Sequence, residues 1–524
     1  MKKLYLLIIA LAVMVTVKAQ WVNDPVNNNF IANTSADAGE IYLSTNPETG
    51  DTYVQWMQFG SNNWSPTLQR LNFAGEPQWG ADGIHISGHQ FSSYSDGVAM
   101  AATTDGGVVS CFVAGDHSYA VKLNADGTYA WGEEGVQLFN GNGFSRTECI
   151  AGNDGGVWCL GSDYNNQYVQ YVNADGTLNN MITISDLTGK TCWYGQLTLS
   201  NDNRVFVTFE KLGNGAGLYK EKEIYVAGYN PDGSVYSPLT LLMSGKTFQS
   251  TYRHYALSDG QGGGYAYIWH SGGIGNTFNV YVFHFDQYGA NTLLTNDGIP
   301  VHKVDTDNFY LSACATVDPI SHDILLIYEQ TDAAYQAYCK IFINRITSYG
   351  STPWDDGYMI LDNGTVPCGG YRIDAFEYGG GFSVIYHKGL NIGSYESTVE
   401  SQGFDMDGNE IWNTQMCSST YNKTGDKRTT GFHGGQNITA WVNSNTGGLY
   451  GQNIGQHGEM GEVTPPTPPA PCLAPSNFEA EEYYNSTTNT SAAVFSWTAP
   501  ETTPLHYNLY WEEFKGVPCR VKRE

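Results

Sequence analysis

A short segment recurs along the 524-residue chain and restricts its possible folds more than any other feature. The segment has alternating apolar residues, then Asn or Asp, and shortly afterwards a Gly that is often followed by Trp. Clear copies end at Gly75, Gly127 and Gly176, and the series continues through glycines 233, 289, 350, 408 and 458 at steps of 49 to 61 residues. Repeats of this length are typical of modular folds in which each unit packs against its neighbours.

Each unit contains four strand-like stretches. In the second unit these are residues 98–103, 108–113, 119–123 and 129–139, separated by turns with Asp-Gly or Gly-Gly. Such turns need positive φ angles and join antiparallel strands. The composition agrees, because 61 Gly and 36 Tyr with only 15% charged residues favour strands over helices. The sequence therefore predicts an all-β protein with an eight-bladed β-propeller, with seven blades as the alternative.

The last unit lacks a fourth strand of its own. Residues 428–458 contain three strands and then run into a proline-rich stretch. Residues 20–26 at the N-terminal end match the fourth-strand pattern of residues 130–136. We expect this N-terminal strand to close the last blade, which would remove two free sheet edges at once.

The blade sequence from Tyr119 to Trp131 resembles the bacterial β-propeller repeat family known as SBBP. The likeness rests on the pattern apolar-x-Leu-Asn-x-Asp-Gly followed by Trp, and it extends over about residues 20–460. It implies a propeller and leaves the function open, because such propellers serve many purposes.

The two ends of the chain predict export and a second module. Residues 1–19 have the basic start, apolar stretch and small-residue cleavage site of a signal peptide, and residues 20–462 form the propeller. Residues 463–473 form a proline-rich linker. Residues 474–524, with Trp497 and Tyr507, resemble a truncated fibronectin type III module. This combination resembles secreted or surface proteins of Gram-negative, Bacteroidetes-like bacteria.

Charge and motifs exclude several function classes. A net charge of −27 disfavours nucleic acid as a partner, and no apolar run after the signal is long enough to span a membrane. The sequence has no His-Glu-x-x-His, Gly-x-Ser-x-Gly or zinc-type cysteine spacing. Residues 405–410 look like a calcium loop, but an acidic turn shared with the other units is preferred. We predict no metal and no other cofactor.

Cys149 and Cys159 flank the turn at residues 153–156 and could face each other across one hairpin. They are the predicted disulfide. The alternative is two small apolar residues that fill neighbouring strands.

The candidate binding residues lie where second strands end and second-to-third loops begin. These loops vary most between units and share one face of the disc, which suits recognition. A titratable residue follows an aromatic one at Glu210, His270, Glu329 and His387. Neighbouring sheets pack about 10 Å apart, which is too far for these residues to share one metal. The remaining interpretations are polar strand ends, a ligand-binding ring, or catalysis by the two glutamates.

Four aromatic residues in the loops are the further candidates. They could stack on sugars, anchor a protein partner, or pack within their own loops; they are Trp64, Tyr164, Tyr219 and Tyr395.

The predicted function is a secreted or cell-surface, non-enzymatic propeller that binds an extracellular protein or glycan, as in adhesion. The alternative is an extracellular glycan-active enzyme, of the glycoside hydrolase kind, on the same loop face. A purely structural surface component is the third hypothesis.

Overall fold

The computed structural model describes the propeller and part of the C-terminal unit. It covers residues 21–463 except 36–37, 60–63, 87, 90–97, 140–143, 145, 164, 186–190, 214–218, 250–252, 271–278, 294, 303–308, 332–339, 363, 365, 367, 391–395, 422–427 and 444–446. It also describes the backbone of residues 476–485 and 490–498. The chain divides into two compact units, residues 1–466 and 467–524.

The first unit contains eight antiparallel four-stranded sheets. A single strand, β1 (Asn29–Ala32), precedes the first complete blade. The first four blades follow in chain order: β2 (Gly39–Thr45), β3 (Thr52–Phe59), β4 (Trp64–Leu71) and β5 (Ile84–His85); β6 (Val98–Ala102), β7 (Val108–Ala114), β8 (His117–Leu123) and β9 (Val136–Leu138); β10 (Arg146–Ala151), β11 (Val157–Ser162), β12 (Gln167–Val172) and β13 (Ile182–Ile184); β14 (Thr191–Leu199), β15 (Val205–Leu212), β16 (Tyr219–Tyr229) and β17 (Val235–Gln249).

The other blades have the same order of strands. They are β18 (Tyr255–Ser258), β19 (Gly264–His270), β20 (Asn279–Phe285) and β21 (Ile299–Pro300); β22 (Phe309–Val317), β23 (Ile324–Thr331), β24 (Lys340–Ile346) and β25 (Tyr358–Asp362); β26 (Cys368–Ala375), β27 (Gly381–Gly389), β28 (Glu396–Asp405) and β29 (Glu410–Tyr421); and, in the last blade, β30 (Arg428–Thr429), β31 (Gln436–Val442) and β32 (Leu449–Gly455). A short 3₁₀ turn at Asn201–Asn203 separates β14 from β15. The predicted eight-bladed, all-β propeller is confirmed.

The N-terminal strand closes the last blade. Strand β1 pairs antiparallel with β32, which gives the sheet order β1-β32-β31-β30. Closure is therefore confirmed, but the predicted position at residues 20–26 is wrong, because residues 21–28 contain no strand. The pairing of Asn29 with Gly451 places the strand after that segment.

The repeated turn keeps its shape through its own side chains. In blade 2 the amide of Asn124 donates to the carbonyl of Thr128, and the amide of Thr128 donates to the Asp126 carboxylate at 3.0 Å. Gly127 has a φ of +86°, a conformation that L side chains rarely adopt. These bonds explain why Asn, Asp and Gly recur at fixed offsets.

The recurring Trp connects one blade to the next. The indole of Trp79 donates to Ala125 O at 3.1 Å, and that of Trp131 donates to Ala174 O at 3.0 Å, in each case at the turn of the following blade. A Cβ added to Gly176 would lie 2.8 Å from the Trp131 ring, so this turn glycine also lets the ring approach. The repeat thus encodes contacts between blades as well as hairpins.

Apolar side chains fill the spaces between neighbouring blades. One cluster contains Trp158 of blade 3 and Phe209 of blade 4, and another contains Ile343 of blade 6 and Val384 of blade 7. Trp21 belongs to the cluster that joins the last blade to the first. This distribution places the main core in the layers between sheets, as blade-on-blade packing requires.

The second unit contains two described strands, β33 (Ser476–Asn485) and β34 (Thr490–Thr498), which pair antiparallel. The third fibronectin-like strand, predicted at residues 507–511, lies outside the described residues. No helix among the described residues has the length and apolar character that a bilayer crossing requires.

Candidate functional site

Strand pairing defines one equivalent position near the end of each second strand. In blades 4 to 7 a tight turn joins the first strand to the second. The first residue of the second strand that pairs after this turn is residue 205, 264, 324 or 382, in blade order. The residue five positions later in each blade is, in order, Glu210, Trp269, Glu329 and His387. Trp269, rather than the predicted His270, therefore occupies the equivalent position in blade 5. His270 ends β19 and pairs with Asn279, and its side chain lies outside the described residues.

The first strand of each blade, which we call the inner strand, is irregular beside this position in blades 4, 6 and 7. The register shifts just after the pairs Trp193–Glu210, Leu311–Glu329 and Gly369–His387. Such bulges re-aim side chains and often border binding sites. Here they displace the inner-strand backbone next to the second-strand residues of interest.

A cavity of about 290 Å³ lies beside two of these shifts. Blades 5, 6 and 7 contribute its lining from inner and second strands, namely Trp269, Ala313, Cys314, Glu329, Gly369, Gly370, Tyr371 and Arg372. We call this space the Glu329 cavity. It lies toward the face from which second-to-third loops emerge, because β23 ends there and β26 begins there.

Glu329 is half-buried in this cavity, and one hydrogen bond to its carboxylate is seen among the described residues. Its Oε2 accepts one long hydrogen bond, at 3.4 Å, from the Tyr371 hydroxyl. Among the described residues, no Lys, Arg or His lies within 4.0 Å of its carboxylate. Burial raises the pKa of Glu329, and the Tyr371 hydroxyl opposes that rise only in part. The carboxyl therefore takes up a proton more readily than an exposed glutamate.

The cavity also has an aromatic and a cationic wall. Trp269 stacks on Tyr255 of the same blade, with ring centroids 5.4 Å apart and planes at 22°. Arg372 is half-buried on β26, and its Nη1 donates to Tyr371 O at 2.7 Å. The cavity thus combines an aromatic ring, a desolvated carboxyl and a guanidinium.

Glu210 lies in a different setting, inside blade 4. Its carboxylate pairs with Lys222 Nζ at 2.7 Å and accepts from the backbone amide of His254 at 2.7 Å. The imidazole of His254 lies 3.2 Å from the same carboxylate and 2.9 Å from Thr208 Oγ1, and Glu210, Lys222 and His254 are all fully buried. Burial opposes ionisation, but Lys222 and His254 outweigh it and lower the pKa of Glu210. This buried network pairs the Glu210 carboxylate within the protein and leaves it out of contact with solvent.

Two other predicted residues are described. His387 is buried, with Nδ1 3.0 Å from Ser397 Oγ. Trp64 begins β4 and packs against the core between blades 1 and 2. Tyr164, Tyr395 and the side chain of Tyr219 lie outside the described residues, so their proposed binding role stays a prediction.

The cysteines form a cluster that spans two blades. Cys149 and Cys159 are directly opposite in the β10–β11 ladder, as expected, but both are free thiols in the structure instead of the predicted disulfide. The sulfur of Cys159 lies 3.5 Å from that of Cys111 in the neighbouring blade. Burial raises the pKa of the Cys111 and Cys159 thiols. Cys368, elsewhere in the chain, is disulfide-bonded.

The acidic loop at residues 405–410 is a turn of the common type. Asp405 Oδ1 accepts from the amides of Asp407 and Asn409 at 3.0 and 2.9 Å. Within the described part of the chain, no group of three His, Cys, Asp or Glu side chains is arranged to hold a metal ion.

A second cavity, of about 550 Å³, lies on the opposite face among the first-to-second turns of blades 3 to 5. Asn153, Asn201, Asp202 and Ser258 are among its lining residues. Neither this cavity nor the contribution of Arg372 was evident in the sequence, because turns and inner strands from separate blades form both sites.

Comparison with known proteins gives structural likeness alone. No protein-family description and no curated protein matches the chain. A protein from Lactobacillus plantarum superposes with a TM-score of 0.37 at 16% identity, covering 68% of this chain and 92% of that one. The polysaccharide lyase Uly1 gives 0.43 at 12% identity, covering 84% and 94%, and a puromycin hydrolase gives 0.39 at 12%, covering 93% and 64%. The likeness concerns the fold.

Proposed function

We propose that this protein is a secreted or cell-surface propeller that binds an extracellular glycan, without cleaving it, through the Glu329 cavity. The observation that carries the proposal is the convergence of Trp269, Glu329 and Arg372 from three blades on one cavity. Ligand sites combine an apolar or aromatic wall with a few placed polar groups. A ring surface for a sugar face and polar groups for its hydroxyls fit this description.

The size of the cavity supports recognition of a single sugar unit. Its volume of about 290 Å³ is at the lower end of ligand pockets, which begin at about 300 Å³. A longer glycan would then extend over the loop face, with one unit held between the blades. Adhesion to a glycan-coated surface follows when many such chains bind together.

Binding to a glycan array tests this proposal, with hydrolysis of the bound glycans measured in parallel. Trp269→Ala should abolish most of the binding. Tyr349→Ala is the matched control, because this tyrosine is 87% exposed in a third-to-fourth turn and therefore lies on the opposite face. Absence of binding to every glycan, or equal loss in both variants, would contradict the proposal.

An extracellular glycan-active enzyme is the second candidate, and one observation favours it. The raised pKa of Glu329 suits a general acid. Most glycoside hydrolases need two carboxyl groups, however, and Glu329 is the single carboxylic acid among the described residues that line the cavity. Glu210, the other predicted carboxylate, forms a buried ion pair with Lys222 within blade 4 and does not line the cavity. Bond cleavage that is lost in Glu329→Gln would establish the enzyme instead.

A further inference from the structure

The Glu329 cavity contains a cation without a close carboxylate partner. Among the described residues, no Asp or Glu lies within 4.0 Å of the Arg372 guanidinium. The charge of Arg372 does act on Asp374, two residues along the same strand, where it opposes the rise in pKa that burial causes. Asp374 Oδ2 accepts hydrogen bonds from Thr429 at 2.7 Å and Asn437 at 2.8 Å, both in blade 8. One oxygen of Asp374 is therefore engaged by the neighbouring blade, and the carboxylate makes no ion pair with Arg372 within 4.0 Å.

The other charged group in the cavity does not satisfy Arg372 either. Glu329 accepts from Tyr371 and makes no ion pair with Arg372 within 4.0 Å. Only one of the five N–H groups of the guanidinium has a described acceptor, the carbonyl of Tyr371. The planar fork of an arginine matches a carboxylate with two parallel hydrogen bonds.

The overall charge of the protein limits what kind of anion can approach. With a net charge of −27, the protein repels polyanions at long range. A single carboxylate within an otherwise neutral glycan experiences much less of this repulsion, and salt screens what remains. One local cation is then sufficient to select it.

We propose that the Glu329 cavity recognises a carboxylate-bearing sugar, such as a uronic acid unit in a mostly neutral glycan, with Arg372 binding the sugar carboxylate. Trp269 provides the ring surface, and the Glu329 carboxyl contacts sugar hydroxyls. This inference rests on the proposed glycan-binding function and adds the chemical class of the ligand.

Calorimetric titration of the full chain with two matched probes tests the inference. The probes are the methyl glycosides of glucuronic acid and glucose, which differ by one carboxylate. The wild-type chain should bind the glucuronide about tenfold more tightly, as one charge-assisted hydrogen-bonded pair allows. Arg372→Gln should lower the affinity for the glucuronide to that for the glucoside. Arg372→Lys should keep part of the preference, because lysine keeps the positive charge but lacks the two parallel N–H donors of the guanidinium.

Lys388→Gln is the matched control. Lys388 belongs to the same blade as Arg372 and carries the same charge, but it does not line the cavity, so this variant should keep the tenfold preference. Equal wild-type affinities for the two probes, or equal loss of preference in Lys388→Gln, would overturn the inference while leaving glycan binding intact. Failure of both probes and of every arrayed glycan to bind would instead overturn the proposed function. Thermal unfolding of each variant, monitored by circular dichroism, identifies a change that merely disrupts the fold, and Arg372→Lys then decides the question.

Discussion

Replacing Trp21 with Ala should weaken the closure of the propeller. Trp21 is 4% exposed and packs in the cluster that joins the last blade to the first. Its indole donates to Phe73 O at 3.2 Å, and its ring covers Gly75, where an added Cβ would lie 2.5 Å away. This is the contact that Trp131 makes with the next blade, and here the ring also packs in the cluster between the last blade and the first.

The expected loss of stability follows from these contacts. Truncating a buried Trp to Ala typically costs about 3–5 kcal/mol, which includes the cavity that remains. The hydrogen bond to Phe73 contributes about 1 kcal/mol of this. Trp21→Phe should therefore retain most of the stability. Trp131→Ala is the control, because Trp131 is only half-buried and joins blades that the chain already connects, and it should cost about 1–3 kcal/mol.

Urea denaturation followed by far-ultraviolet circular dichroism measures the loss, and amide hydrogen exchange shows where it acts. In Trp21→Ala, exchange should accelerate in β1 and β32, while β8 and β9 keep their protection. If Trp21→Ala stays within about 0.5 kcal/mol of wild type, the usual range of a surface change, Trp21 does not hold the propeller closed. The same conclusion follows if Trp131→Ala accelerates exchange in β32 to the same extent.

Four further predictions concern buried and half-buried groups. Lys222→Met should destabilise the fold by about 3–5 kcal/mol at pH 7 in urea denaturation, because the buried Glu210 loses its lysine partner and keeps only its contacts with His254, and adding Glu210→Gln should restore part of the loss. Because the pKa of Glu210 is lowered, its contribution to stability should be lost as the pH falls below the ordinary glutamate range, and a flat acid profile would contradict this. Burial raises the pKa of Glu329, so the folded chain keeps a proton at pH values where the unfolded chain has lost it. At pH 7 the ionised Glu329 therefore costs stability, and Glu329→Gln should raise the unfolding midpoint, whereas near pH 4 it should bring no gain. A gain that is the same at both pH values would count against this. Cys111 and Cys159 should resist oxidised glutathione in the folded chain, because both sulfurs are buried and burial raises the pKa of both thiols, and a Cys111–Cys159 disulfide found by non-reducing peptide mapping of the native chain would contradict this.

The blade architecture could be predicted because its signals are local. The Asn-Ala-Asp-Gly turn at residues 124–127 contains its own hydrogen-bonding groups and its positive-φ glycine, so the hairpin follows from adjacent residues. The sequence did not reveal that the Trp after the turn contacts the next blade, since its acceptor lies in the following repeat. The start of β1 could not be placed from the sequence, because pairing with β32, more than 400 residues away, determines it.

The candidate site could be predicted only in part. The sequence pattern singled out Glu329, which lines the cavity, and Glu210, which the same pattern made equivalent. It could not distinguish them, because the buried partner of Glu210 is a lysine on the neighbouring strand. Arg372 was missed because it enters the site from the inner strand of another blade, next to a register shift. Partners on neighbouring strands and neighbouring blades together decide whether a polar residue at this position is buried in an ion pair or faces a cavity.

We place the ligand between blades 5, 6 and 7, and a crystal structure of the full chain with methyl glucuronide tests this most directly. We expect the sugar in the Glu329 cavity, with its carboxylate about 2.7–2.9 Å from the Arg372 guanidinium and its ring beside Trp269. An ordered sugar at the turns around Asn201 on the opposite face, with no sugar in the Glu329 cavity, would contradict the claim.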